Sequence, residues 1–163
     1  MWPTWMINKS IMPLENYINS FSHLRTDVNH HRWTAATQYC APHKPFLLIS
    51  ILDLFAQGSF QTNLIELTPE LGDIFSRYWS MIMPLYQRGN IALPFFHLKS
   101  SGFWHLLPRP ESELSLAATR QVDTLSQLNK LILGASLDDE LFQLMTIEES
   151  RNALRTSLIK TYL

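Results

Sequence analysis

The sequence predicts an α+β fold: a mostly helical single domain with a central β-hairpin. Three observations lead there. Apolar residues recur at helical spacing in several segments that carry caps and breakers at their ends. Two aromatic-rich runs flank a short Ser-Gly turn, which is hairpin patterning. The 163 residues, 46% of them hydrophobic, suit one domain and suffice to bury its core.

The elements follow in chain order. Leu14, Tyr17, Ile18, Phe21 and Leu24 are spaced as one face of a helix. Arg25 to Tyr39 is polar and histidine-rich and reads as a loop. Pro42 and Pro45 open a strongly apolar helix, Pro45 to Gln57, because a proline's missing N–H costs nothing in a first turn. Gly58 is its stop. Leu64 to Leu67 is short and extended. Thr68-Pro69-Glu70 supplies an N-cap, a first-turn proline and a first-turn acid for a helix that runs to about Ile82, with Pro84 ending it. The expected hairpin pairs Leu93-Pro94-Phe95-Phe96-His97-Leu98 with Phe103-Trp104-His105-Leu106-Leu107 across Lys99-Ser100-Ser101-Gly102. Pro108 to Glu113 reads as a loop and Thr119 to Leu133 as a helix. Leu137 to Met145 and Ile147 to Tyr162 are two closing helices. There is no internal repeat and no low-complexity segment.

A net charge of −1 does not announce a nucleic-acid partner, so local distribution has to carry any such reading. Between Ile74 and Pro110 stand Arg77, Arg88, Lys99 and Arg109 with no acid. Between Val28 and Leu52 stand Arg32, Lys44 and three histidines, again with no acid. Asp138, Asp139, Glu140, Glu148 and Glu149 are the counterweight. Basic segments with interleaved aromatics suit a phosphate backbone. The single cysteine, Cys40, cannot form an intrachain disulfide, which fits a reducing compartment. Residues 1–14 hold Trp2, Trp5, Met6 and only Lys9 as a base, without the apolar run of a signal peptide. No apolar stretch approaches the roughly 18 to 20 residues of a membrane span. The expected compartment is the cytoplasm.

Catalytic and metal patterns are thin. Cys40-x-x-His43 is at most half a zinc site, with no second cysteine pair to complete it. Cys40 beside His43 lacks a third group that would make a nucleophile and base. Asn29-His30-His31 superficially looks like an HNH centre, but the next Asn is Asn63 and the next His after His43 is His97, so the helix ligands are out of place. No acid stands two residues before any lysine, as the other common nuclease core requires. P-loop and nucleophile-elbow glycine patterns are also missing. The expectation is a chain with no catalytic centre, no metal and no cofactor.

Three stretches together resemble a known family. Ala41-Pro42-His43-Lys44-Pro45-Phe46-Leu47-Leu48, with Leu52-Asp53-Leu54, looks like its opening helix. Ala92-Leu93-Pro94-Phe95-Phe96-His97-Leu98 and Gly102-Phe103-Trp104-His105-Leu106 are similar to its hairpin. Leu137-Asp138-Asp139-Glu140-Leu141-Phe142 and a helix ending in Tyr162 resemble its closing segment. The family is the bacterial sulfur-binding domain, the recognition module of HNH-type restriction endonucleases directed at phosphorothioated DNA. The resemblance covers about Leu14 to Leu163. In those proteins an HNH nuclease domain usually follows, and this chain stops where it would begin; a fused or associated HNH nuclease is the implied partner.

The resemblance implies that the Pro94 ring offers sulfur an apolar surface, with Leu93 and His97 beside it. Leu93 stands where the family often has an aromatic residue, and His97 where a smaller residue can sit. It implies His43 and Lys44 as a basic pair and Arg120 as a further arginine, set against the phosphorothioate charge. Further DNA contacts are expected from Arg32 in the Asn29–Arg32 loop and from Arg88 and Asn90, entering the major groove. Without the resemblance, core packing is the plainer role for the proline and the aromatics. Two other readings fit the same residues. One is the same fold reading unmodified or base-modified DNA for an HNH nuclease. The other is a protein-interaction domain that docks a partner through its acidic C-terminal helices.

Overall fold

In the computed structural model, the backbone is described for residues 4–163 and the side chains for residues 13–163. The sequence reading of Trp2, and of the Trp5, Met6 and Lys9 side chains, lies outside those described residues. The helices are α1 (Thr4–Ser22), α2 (His43–Ala56), α3 (Pro69–Ile82), α4 (Ala92–His97), α5 (Glu113–Ala118), α6 (Leu125–Leu131), α7 (Asp139–Met145) and α8 (Glu148–Tyr162). The strands are β1 (Trp104–Pro108) and β2 (Ile132–Leu137), paired antiparallel. The fold is therefore α+β, mostly helical, with one two-stranded hairpin among the described residues. No described helix is long and apolar enough to cross a membrane.

α2 is the central rod. From Pro45 to Leu52 every side chain is buried, and Leu54 and Phe55 follow. A helix that is apolar all round has to be enclosed, and α3, α4 and α8 enclose this one. Gln57 ends it, and Gly58 at φ 72° takes the left-handed turn that a side chain would resist. Asp53 is the polar exception. Its carboxylate accepts from Arg155 of α8 and from the Tyr78 hydroxyl of α3, while Arg155 Nη2 donates to Tyr78 at 2.8 Å. This network clips three helices together. α3 starts as its residues dictate: the Thr68 hydroxyl accepts from Leu71 N at 3.2 Å, with Pro69 in the first turn. At the other end of the chain, the Tyr162 hydroxyl donates to Phe21 O at 2.7 Å and accepts from Leu24 N at 2.8 Å, so the last helix closes over the end of the first.

The expected hairpin changes its partners. The run expected as the first strand, Leu93–Leu98, lies in α4 (Ala92–His97) and the 3-10 turn that follows at Leu98–Ser101, and it contributes no strand. Ala92, Pro94, Phe95, Phe96 and Leu98 are all buried. A two-sided strand would have to send half of that run to solvent, and a helix can bury it on one side against α2. Asn90 Oδ1 accepts from Ala92 N at 3.1 Å, and Pro94 sits in the first turn, where no intrahelical N–H is missed. β1 is the expected second strand, but it pairs with β2, in the register Trp104↔Leu137 through Leu107↔Gly134. Ile65 adds a bridge to Ala135, with N···O distances of 2.7 and 2.8 Å in the two directions. The Trp104 indole donates to Phe95 O at 2.8 Å and so fastens β1 to α4.

The helix expected over Thr119–Leu133 is a second correction. Residues 119–124 are irregular, α6 is only Leu125–Leu131, and Ile132 and Leu133 open β2. Thr124 sets the start: its hydroxyl accepts from Gln127 N, and the Gln127 side chain accepts from Asp123 N, both at 3.1 Å, a reciprocal cap.

Candidate functional site

A cavity of about 470 Å³ opens between the start of α2, the α4 turn and the chain leaving α1. His43, Lys44, Leu93, Pro94 and His97 all line it, joined by Arg25, Thr26, Asp27, Ala41 and Ser100. Five of the residues singled out by the sequence thus meet in one place, contributed by two helices 50 residues apart in the chain. Pro94 is buried; Leu93 and His97 are half-buried. Ala41, Leu93 and Pro94 make the apolar part of the lining. Arg25, Lys44 and Asp27 make the charged part.

Lys44 Nζ donates to Arg25 O at 2.6 Å and to Ser100 Oγ at 3.4 Å. An ammonium carries three donors, so one remains for a ligand. Burial, then the neighbouring Arg25 charge, pulls its pKa down from the usual lysine value. His97 is also held below the ordinary histidine range, first by burial and then by Lys44 and Lys99. Lys44 lies near Arg25 and, with Lys99, near His97, and an entering anion would offset this positive charge.

His43 departs from its expected role. Its ring lies 5.8 Å from Trp33 and 4.8 Å from Trp79. Burial there, with Arg32 nearby, drives its pKa down to about 4. At neutral pH it is an uncharged imidazole. It can donate one hydrogen bond, but it does not form a charged pair with Lys44.

The remaining expected residues lie around the cavity. Arg120 is exposed, in the irregular segment 119–124 and not on a helix, and it does not line the cavity. The carbonyl of its neighbour Thr119 accepts from Lys99 Nζ at 3.5 Å. Arg32 is exposed in the loop before α2, its guanidinium 5.1 Å from the Trp33 ring. Arg88 is exposed and lines a separate cavity of about 320 Å³ with Ser76, Trp79 and Leu85. The Asn90 amide already serves two backbone partners, Ala92 N and Asp123 O, so it holds its loop in place. Cys40 and His43 are not part of any metal-like cluster: among the described residues, no three His, Cys, Asp or Glu groups gather as metal ligands would.

Sequence reasoning missed Arg25, Thr26, Asp27 and Ser100. The first three enter because the following loop folds back on itself. Val28 bridges Cys40, Asn29 N donates to Tyr39 O at 3.1 Å, and Ala41 N donates to Asp27 O at 2.8 Å. Gln38 and Tyr39, at φ 54° and 58°, turn the chain for that closure. The Asp27 carboxylate accepts from Trp33 Nε1 at 2.9 Å. Neither a motif nor a periodicity marks these residues, because a long-range closure has no local signature. Ser100 was legible only as part of a turn. No protein-family model matches the chain, and no curated protein matches it.

Proposed function

We propose that the chain is a double-stranded DNA-binding module that recognises a phosphorothioate in the DNA backbone, and that it binds without cutting. One observation carries the reading: Leu93 and Pro94 present apolar surface in the same cavity as the Lys44 ammonium and the Arg25 guanidinium. A phosphorothioate diester keeps its negative charge but exchanges one hydrogen-bonding oxygen for a larger, more polarisable sulfur. A cavity with two cations and an apolar wall suits both halves of that group, and the one carboxylate in its lining, Asp27, is held by the Trp33 indole. An ordinary phosphate oxygen pressed against Pro94 would lose its hydrogen bonds to water, at about 1–3 kcal/mol. The base is read elsewhere, since backbone contacts position a protein without carrying sequence.

The test compares duplexes that differ by one sulfur. The modified duplex is expected to bind at least about tenfold more tightly, since about 1.4 kcal/mol is tenfold. Pro94→Ala retains a good helix former in the first turn of α4 and removes only ring surface, so it is expected to shrink the modified-to-plain ratio. Lys44→Ala is expected to weaken both duplexes and to lower the salt dependence by about one counterion's worth. Equal affinity for both duplexes over several flanking sequences would leave only the reading of unmodified or base-modified DNA. Pro94→Ala keeping the ratio while Lys44→Ala loses it would refute the apolar mechanism.

A further inference from the structure

The turn between α3 and α4 ends in two apolar side chains that the protein leaves in water. Leu85 is 97% exposed and Tyr86 is 80% exposed. Scattered exposed apolar residues are normal on a protein surface, but this pair is held out by a fixed base. The Trp79 indole donates to Gln87 O at 2.8 Å, and Gln87 N donates to Pro84 O at 3.0 Å, closing the turn. The Gln87 side chain donates to Arg32 O at 2.6 Å, which ties the turn to the loop before α2. Met83, at the foot of the turn, is buried.

The surroundings select the occupant. Arg88 follows the tip and lines a cavity with Leu85, and the Arg32 backbone is fastened to the same turn. No acid occurs from Ile74 to Pro110. An apolar tip with Arg88 beside it matches a stack of base pairs edged by phosphates. The tip also shares its support with the cavity. Trp79 holds the turn and packs 4.8 Å from His43, which lines the cavity.

We propose that Leu85 and Tyr86 form a wedge that enters a base-pair step of the same duplex, next to the backbone group held in the cavity. This rests on the DNA-binding reading given above. Apolar wedges of this kind unstack a step and kink the duplex by about 20–90°.

The experiment uses a duplex with a single phosphorothioate, end-labelled with a donor and an acceptor dye, and with 2-aminopurine placed at successive steps. The full chain is expected to shorten the end-to-end distance and to brighten 2-aminopurine at one step. L85S/Y86S, changed only at exposed positions, is expected to lose both signals, to bind about tenfold more weakly, and to keep the modified-to-plain ratio. A straight duplex with quenched 2-aminopurine under the wild-type chain overturns the wedge, as does a double variant that keeps both signals. So does a tip whose loss converts a dimer to a monomer in sedimentation without changing the bend. A tip-dependent kink with equal affinity for modified and plain duplex supports the wedge and refutes sulfur selection. No binding to either duplex refutes both.

Discussion

Ala92–Leu98 and Phe103–Pro108 are close in composition, each with aromatics, a histidine, a leucine and a proline, yet the first folds as a helical turn and the second as a strand. The difference lies in what surrounds them. α4 lies against α2, and only Leu93 and His97 of its residues escape burial. β1 buries only Trp104 and leaves His105 exposed, with one edge paired to β2. The two histidines diverge in the same way. His97 is half-buried near Lys44 and Lys99, and burial, then those charges, lower its pKa. His105 Nε2 lies 2.6 Å from Asp138 Oδ1, and Asp138 also accepts from the Tyr17 hydroxyl at 2.8 Å. Residue type alone did not settle the element.

The comparison is broken most forcefully at its shared contact. Trp104 is fully buried, meets Phe95 edge-on at 5.0 Å and donates to its carbonyl. Trp104→Ala is expected to cost about 3–5 kcal/mol in urea unfolding, whereas Leu106→Ala, only half-buried on the same strand, should cost less than half as much. Equal costs would mean that β1 is not seated through Trp104.

The pairing of β1 with β2 is probed next at Gly134. A methyl group there would collide with the backbone carbonyl of Ile65. Gly134→Ala must push Ile65 away from Ala135, and about 2–3 kcal/mol of destabilisation is expected, in the range of overpacked sites. Amide exchange of Ile65 and Ala135 should speed up selectively.

His43 provides the pH test. Its pKa lies near 4 in the folded chain, below the ordinary histidine value. The unfolded chain therefore takes up a proton first as pH falls. Stability is full above about pH 6.5 and declines toward pH 4, by about 3 kcal/mol at most from this group. His43→Gln should flatten that decline in urea titrations between pH 7.5 and pH 4.5. An unchanged slope would place the acid sensitivity elsewhere.

The smallest effect is expected at the other histidine. The His105–Asp138 contact is half exposed, and surface contacts of this kind contribute about 0–1 kcal/mol. His105→Gln should shift the melting temperature by only a few degrees at most, with no effect on DNA affinity. His97→Gln, inside the cavity, should alter affinity and leave stability nearly unchanged. The opposite pattern would mean that the strand and not the α4 turn carries the site.

The helices whose ends are written in neighbouring residues were legible from the chain alone. Thr68 and Pro69 start α3, Gly58 follows α2, and the apolar run after Pro45 had to be enclosed. Each rests on hydrogen bonds or dihedral limits that span four residues or fewer. The Thr124–Gln127 reciprocal cap was legible on the same terms, and reading it would have split the long helix expected over Thr119–Leu133. The meeting of His43 and Lys44 with Leu93, Pro94 and His97 came from the resemblance, and the cavity places them together. The rest emerged with packing: α4 as a helix, Ile132–Leu137 as the partner of β1, Arg25 and Asp27 at the cavity, and a neutral His43. These depend on burial against distant elements and on charges brought close by folding. A strand chooses its partner by the whole surface it can cover, and an imidazole titrates according to its solvent and neighbours. No short stretch of sequence contains either quantity.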